Sequence, residues 1–104
     1  MKLKYDPTVN AAYIRFCDKE WARTRRAPRN RGNVFIDYAK DGSVAGIEIL
    51  GIRQGVDLTG VPEAEEVKEV LRASGFSAYT RAEWPPDWRA KKGQKARSTS
   101  ASTV

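Results

Sequence analysis

Histidine is absent from this chain of 104 residues, and cysteine occurs once, at Cys17. Without histidine the usual general base near neutral pH is missing. Ser-His-Asp and Cys-His nucleophile arrangements are excluded for the same reason. One cysteine and no histidine cannot build a structural zinc site, and no internal disulfide can form. That cysteine usage fits a reducing compartment, so a cytoplasmic protein is expected. Long hydrophobic runs are missing as well: none approaches the roughly 18 apolar residues that read as a membrane span. Met1–Lys4 lead directly into a strand pattern, not a leader core, so neither export nor a membrane partner is expected. Gly-x-Gly-x-x-Gly and phosphate-loop motifs do not occur. No metal and no cofactor are expected.

What is present is a soluble composition with an uneven charge. Hydrophobic residues make up 40% and charged residues 31%, enough apolar content for one small domain. The net charge is +6. Lys19 to Arg31 hold six Lys/Arg against one acid, and Pro85 to Val104 hold five against one. The remaining residues carry eight Lys/Arg and eleven acids, so an acidic body wears a basic segment and a basic tail. The organisation expected is a single α+β domain over residues 1–80 with a basic loop at 19–32. A Trp/Pro linker and disordered basic tail over 81–104 should follow.

Alternation of Leu3 and Tyr5 with Lys2 and Lys4 predicts a first strand, ended by Asp6-Pro7. Ala11 to Phe16 reads as a second, with Ile14 and Phe16 on one face and Tyr13 and Arg15 on the other. Asp18 to Asn33 breaks the pattern with Pro28, Gly32 and five arginines, and reads as a long mobile loop. Asp41-Gly42 then lies between Asn33–Lys40 and Ser43–Leu50, the chemistry of a two-residue type I′ hairpin. That turn pairs Lys40 with Ser43, Tyr38 with Ala45, Ile36 with Ile47 and Val34 with Ile49. The apolar partners share one face, whereas a one-residue slip would bury Asp37 and Glu48. Gly51 to Gly60 reads as a connection with a short strand at Ile52.

Glu63 to Ser74 is expected to be a helix, with Val67, Val70 and Leu71 at i, i+3, i+4 spacing. Pro62 and the acids Glu63, Glu65 and Glu66 suit its N-terminus. Gly75 suits a left-handed stop, with Phe76 packing back on Leu71. The fold class expected is α+β: an antiparallel meander of about four strands with one C-terminal helix packed on the sheet. Its core should hold Leu3, Tyr5, Ile14, Phe16, Val34, Ile36, Ile47, Ile49, Val67, Val70, Leu71 and Phe76.

Two stretches, YDPTVNAAYIRF at Tyr5–Phe16 and VFIDYAKDGSVAGIEIL at Val34–Leu50, together resemble domain-of-unknown-function family 2283. These are small proteins of bacteria and their phages. The resemblance covers about the first half of the chain. It implies a compact β-sheet domain with a following helix, and brings no settled activity. Some members are associated with small toxin-like proteins, which implies an accessory or antitoxin-like role. The family pattern usually has an acid where this chain has Asn10, and often one at Ala39. The arginine-rich loop and the tail are longer than that pattern needs.

Three groups of residues are candidates for function. Asp37 and Glu48 fall on the sheet face opposite the core, where polar strand residues are ordinarily just solvated. Gly46 faces Asp37, and a glycine inside a strand marks a bulge or close approach of another chain. Phe35, Val44 and Leu50 share that face, so Phe35, Asp37, Val44, Gly46 and Glu48 form a candidate dimer or partner face. The arginines Arg23, Arg25, Arg26, Arg29 and Arg31, with Trp21, could track phosphates or meet an acidic protein. Their bland reading is a solvated loop that aids solubility. Trp84 and Trp88 around Pro85-Pro86, with Lys91 and Lys92 beyond, could anchor a partner or bind polyanions weakly. Cys17, beside Asp18, reads as a small packed residue and not a nucleophile.

The reading favoured by the sequence is a non-enzymatic protein-binding module with a host or toxin-like protein partner. A homodimer is a further expectation. The alternative is a nucleic-acid binder acting through the arginine segment and basic tail. An enzyme using Asp37 and Glu48 ranks last.

Overall fold

The structure, a computed structural model, describes residues 1–80. Five antiparallel strands form its main sheet: β1 (Lys2–Asp6), β2 (Ala11–Arg15), β3 (Trp21–Arg26), β4 (Asn33–Ala39) and β5 (Val44–Leu50). Their spatial order is β1-β2-β5-β4-β3. The connectivity is thus a hairpin, β1–β2, laid against the last strand of a three-stranded unit, β3–β4–β5. A simple meander of four strands was expected. Two features differ: β2 pairs with β5 and not with the next strand β4, and the arginine segment is a strand on the outer edge and not a mobile loop. Its alternation was hidden because an edge strand with no side chain buried needs no apolar residues. All six residues of β3 are exposed.

Alternation places Ile14, Ile36, Ile47 and their neighbours on one sheet face, in cross-strand register Leu3–Ile14–Ile47–Ile36. That face is the core. Ile14, Ile36, Ile47 and Ile49 are wholly buried together with Val67 and Leu71 of the helix. Burying each such side chain contributes about 1.5–3 kcal/mol. The expected core holds except at Tyr5, which is exposed with its ring edge against Phe76; Leu3, Phe16, Val70 and Phe76 are partly buried at the core's margin.

The helix α1 spans Ala64–Ala73 and ends as expected. Gly75 is left-handed at φ 91. Its N–H donates to the Arg72 carbonyl, and that of Phe76 donates to the Leu71 carbonyl. This pair of bonds is the Schellman stop, which lets Phe76 fold back onto the core. A small second sheet pairs β6 (Val56–Asp57) and β7 (Ala78–Tyr79) in parallel, with α1 as the crossover between them. The strand expected at Ile52 is instead a 3-10 turn over Ile52–Gln54. Asn10 organises that turn. Its carbonyl accepts from the N–H groups of Gly51 and Ile52, and its Oδ1 accepts from the N–H of Arg53. This requires Asn10 in the left-handed region at φ 54, which asparagine tolerates better than most residues.

The β4–β5 hairpin keeps the expected pairs Ile36–Ile47 and Val34–Ile49. Its turn is different. Ala39 donates to the Ser43 carbonyl and Gly42 donates back to the Ala39 carbonyl, leaving a three-residue loop of Lys40, Asp41 and Gly42. Only Gly42 is left-handed, at φ 89, whereas a type I′ turn needs both central residues there. The Asp41 side chain decides this by accepting from the Ser43 N–H and hydroxyl, and Lys19 pairs with it from outside. The extra residue shifts the register. Tyr38 therefore opposes Val44 in place of Ala45, and Val44 packs against the core cluster, not on the outer face.

Candidate functional site

Opposite the core, the side chains of the five strands form two cross-strand rows. One runs Lys4, Tyr13, Glu48, Phe35, Arg26, and the next runs Lys2, Arg15, Gly46, Asp37, Thr24. Cations stand at the margins. Tyrosine, phenylalanine, glycine and two acids fill the centre.

Asp37 is the anomaly of this face. It was expected to be solvated, yet it is 8% exposed. Its two carboxyl oxygens are both satisfied. One accepts from the Tyr13 hydroxyl at 3.0 Å, and the other from the Thr24 hydroxyl at 2.6 Å. Tyr13 stands on β2, two strands from Asp37, roughly 9.5 Å away at the usual strand spacing. Its ring reaches the acid only by lying across β5 at Gly46. A Cβ at Gly46 would strike the Tyr13 ring and stand 2.7 Å from the Ile14 carbonyl oxygen. The strand glycine therefore answers a close approach by the chain's own Tyr13.

Burial first, and then the hydrogen bond to Asp37, push the Tyr13 phenol up to about 12 from its ordinary 10. The folded state therefore keeps a proton that the unfolded chain releases near pH 10. This contribution to stability is complete below pH 10 and is lost as pH rises toward 12. Denaturant titrations across pH 9–12 should show wild-type stability falling more steeply than that of Tyr13→Phe. Equal slopes would contradict the assignment.

The rest of the outer face is half open. Phe35 is half-buried with the Arg26 guanidinium 5.6 Å over its ring, while Glu48 and Leu50 are exposed. An open groove of about 470 Å³ lies beside this centre, lined by Tyr5, Val9, Ala11, Tyr13 and Glu48. Helix α1 lies on the other face, so nothing among the described residues of α1 shields this one. Of the expected partner face, Phe35, Asp37, Gly46 and Glu48 come together, and Val44 does not. Tyr13 and Thr24 are the residues sequence reasoning missed. The signal was a glycine opposite an acid with a tyrosine on the same face of an adjoining strand.

The arginine group divides. Trp21, Arg23, Arg25 and Arg26 lie on β3, with Arg23 5.4 Å over the Tyr38 ring. Arg29 and Arg31 lie in the following turn, which is docked and not mobile. The Asn30 amide donates to the carbonyls of Asp57 and Thr59, and the buried Asp57 carboxyl accepts from the N–H groups of Arg31 and Thr59. Cys17 is half-buried with its thiol toward the Val44 carbonyl. Trp84, Trp88, Lys91 and Lys92 fall outside the described residues. Among the described residues no cluster of acids and cysteine could hold a metal ion, and no helix is long and apolar enough to cross a membrane.

A five-stranded sheet with one covered face and one patterned open face defines a small α+β domain without a metal-binding constellation among the described residues. The chain belongs to the family described as protein of unknown function (DUF2283), which matches residues 2–53. The matched range contains all five strands of the main sheet. Neither the curated proteins nor the solved structures contain a match to this chain.

Proposed function

We propose that this protein is a non-enzymatic protein-binding module, an accessory or antitoxin-like protein that acts by holding another protein against its outer sheet face. The observation that carries this reading is the Tyr13–Asp37–Thr24 network. It fixes an aromatic side chain on an otherwise open face, next to a groove and inside a ring of Lys4, Arg15 and Arg26. A rigid aromatic centre with a polar rim is the usual anatomy of a binding hot spot. The acids are spent on holding that centre or stand singly, which is why the reading is binding and not acid–base chemistry. A second copy of the chain is one candidate occupant of the same face.

The test is to recover a partner from bacterial lysate with tagged protein and then titrate the purified pair. Saturable binding should weaken at least about tenfold in Glu48→Lys/Leu50→Arg, both exposed positions whose change spares the core. Absence of any saturable partner, or an unchanged affinity in the double variant, overturns the reading. Sedimentation of the protein alone reads self-association.

One observation favours a second reading, nucleic-acid binding. Strand β3 holds Arg23 and Arg25 on one side and Arg26 on the other, in the same strand as Trp21, which is 62% exposed. Mobility shifts at two salt concentrations test it. Binding that survives removal of the Arg23–Arg31 arginines and the tail cations would eliminate it.

A further inference from the structure

Among the described residues strand β3 ends the sheet, and its outer edge is where the backbone itself can bind. Ala27 donates to the Val34 carbonyl. The antiparallel alternation then points the N–H and C=O of Arg23 and Arg25 toward β4, and those of Thr24 and Arg26 away from it. A row of outward donors and acceptors is a template for one more strand. The side chains select what that strand carries. Arg23 and Arg25 stand two residues apart on one side of β3, about 7 Å along the strand. Carboxylates at alternate positions of an added strand would meet them as cross-strand pairs.

We propose that the Arg23–Arg26 edge takes an extended acidic segment of another protein as a sixth strand, with Asp or Glu at alternate positions. This rests on the protein-binding reading and names a second contact for the same partner. Two alternatives fit less well. Edge-to-edge pairing of copies is opposed by charge, because β3 would set arginine on arginine and the opposite edge, β1, carries Lys2 and Lys4. Nucleic acid could meet the arginines, but phosphates only accept hydrogen bonds and would leave the outward carbonyls of Thr24 and Arg26 without a donor.

The test uses the full chain and a short capped peptide alternating Glu with Val. A second peptide has the same Glu positions with Pro in place of Val, which keeps the charge and removes the backbone donors. Oligothymidylate is the third probe. Saturable binding of the first peptide, with new exchange protection at the Thr24 and Arg26 amides, is expected. The proline peptide should bind at least about tenfold more weakly, and Arg25→Glu should weaken the first peptide by a similar factor. Equal binding of the proline peptide or of oligothymidylate means simple polyanion attraction and overturns the proposal. No binding means the arginines only protect the edge, and overturns it too. Saturable binding of the first peptide without protection of the Thr24 and Arg26 amides would place it elsewhere on the protein, ending the edge proposal while the binding reading stands.

Discussion

Gly46→Ala should destabilise the domain by about 3 kcal/mol, although it adds one methyl group to a residue on the open face of the sheet. Alanine is acceptable in a strand, and φ at this position is not left-handed, so propensity predicts almost no cost. The cost comes from what lies over the glycine. The new Cβ would meet the Tyr13 ring and stand 2.7 Å from the Ile14 carbonyl oxygen. The ring can swing away, but only by giving up its bond to Asp37 and leaving a buried carboxyl half satisfied. The Ile14 carbonyl belongs to the β2 backbone beside β5 and cannot move without disturbing the central ladder. Urea denaturation measures the loss. In a domain of this size the melting temperature should drop by about 4–8 °C for each kcal/mol. Combining Gly46→Ala with Tyr13→Ala should cost less than the sum of the single changes, because the second removes one of the two collisions. Strict additivity would mean that the ring does not lie over the glycine.

Asp57→Ala should cost about 2–3 kcal/mol, the penalty for stranding hydrogen-bond donors around a buried acceptor. Asp57 is 4% exposed, and its carboxyl oxygens accept from the N–H groups of Arg31 and Thr59, each at 2.9 Å. The Arg31 bond ties the turn after β3 to β6, beside the two bonds of the Asn30 amide, and the Thr59 bond fixes the chain just beyond β6. Amide exchange should accelerate first at Arg31 and Thr59, and then toward β3, which the Asn30 amide, the Thr24–Asp37 bond and the ladder to β4 still hold. Asp57→Asn should recover only part of the loss, since an amide offers one acceptor oxygen where two are used. If exchange at Arg31 does not change in Asp57→Ala, the turn is held by something other than the Asp57 carboxyl. The acidic-peptide contact should weaken alongside, because the edge strand loses one of its anchors at that end.

Much of this architecture could be read before any coordinates. The hairpin pairs Ile36–Ile47 and Val34–Ile49 followed from the place of the turn at Asp41-Gly42 together with alternation, because a one-residue slip would turn every apolar side chain out of the buried face. The helix and its stop at Gly75 followed from spacing and from one residue suited to a left-handed backbone. Three features could not be read in the same way. The turn at Asp41-Gly42 has a composition that serves both two-residue and three-residue loops, and the choice fell to side-chain bonds from Asp41 to Ser43. The strand β3 has no apolar alternation, because its side chains lie at an edge where none is buried. The Asp37 network joins residues 13, 24 and 37 from three strands, and no local pattern connects positions that far apart.

The amino-acid sequence by itself determined which residues are apolar at which period, and therefore which sheet face and which helix stripe had to be buried. It also determined the family, through strand motifs that contain both halves of the central pairing. Tertiary structure alone decided that β2 pairs with β5, that the arginines lie on an edge strand, and that Asp37 is enclosed. The physical reason is one of range. Burial periodicity acts within a single element, whereas strand order and the meeting of Tyr13, Thr24 and Asp37 depend on contacts between elements that exist only once the sheet has assembled.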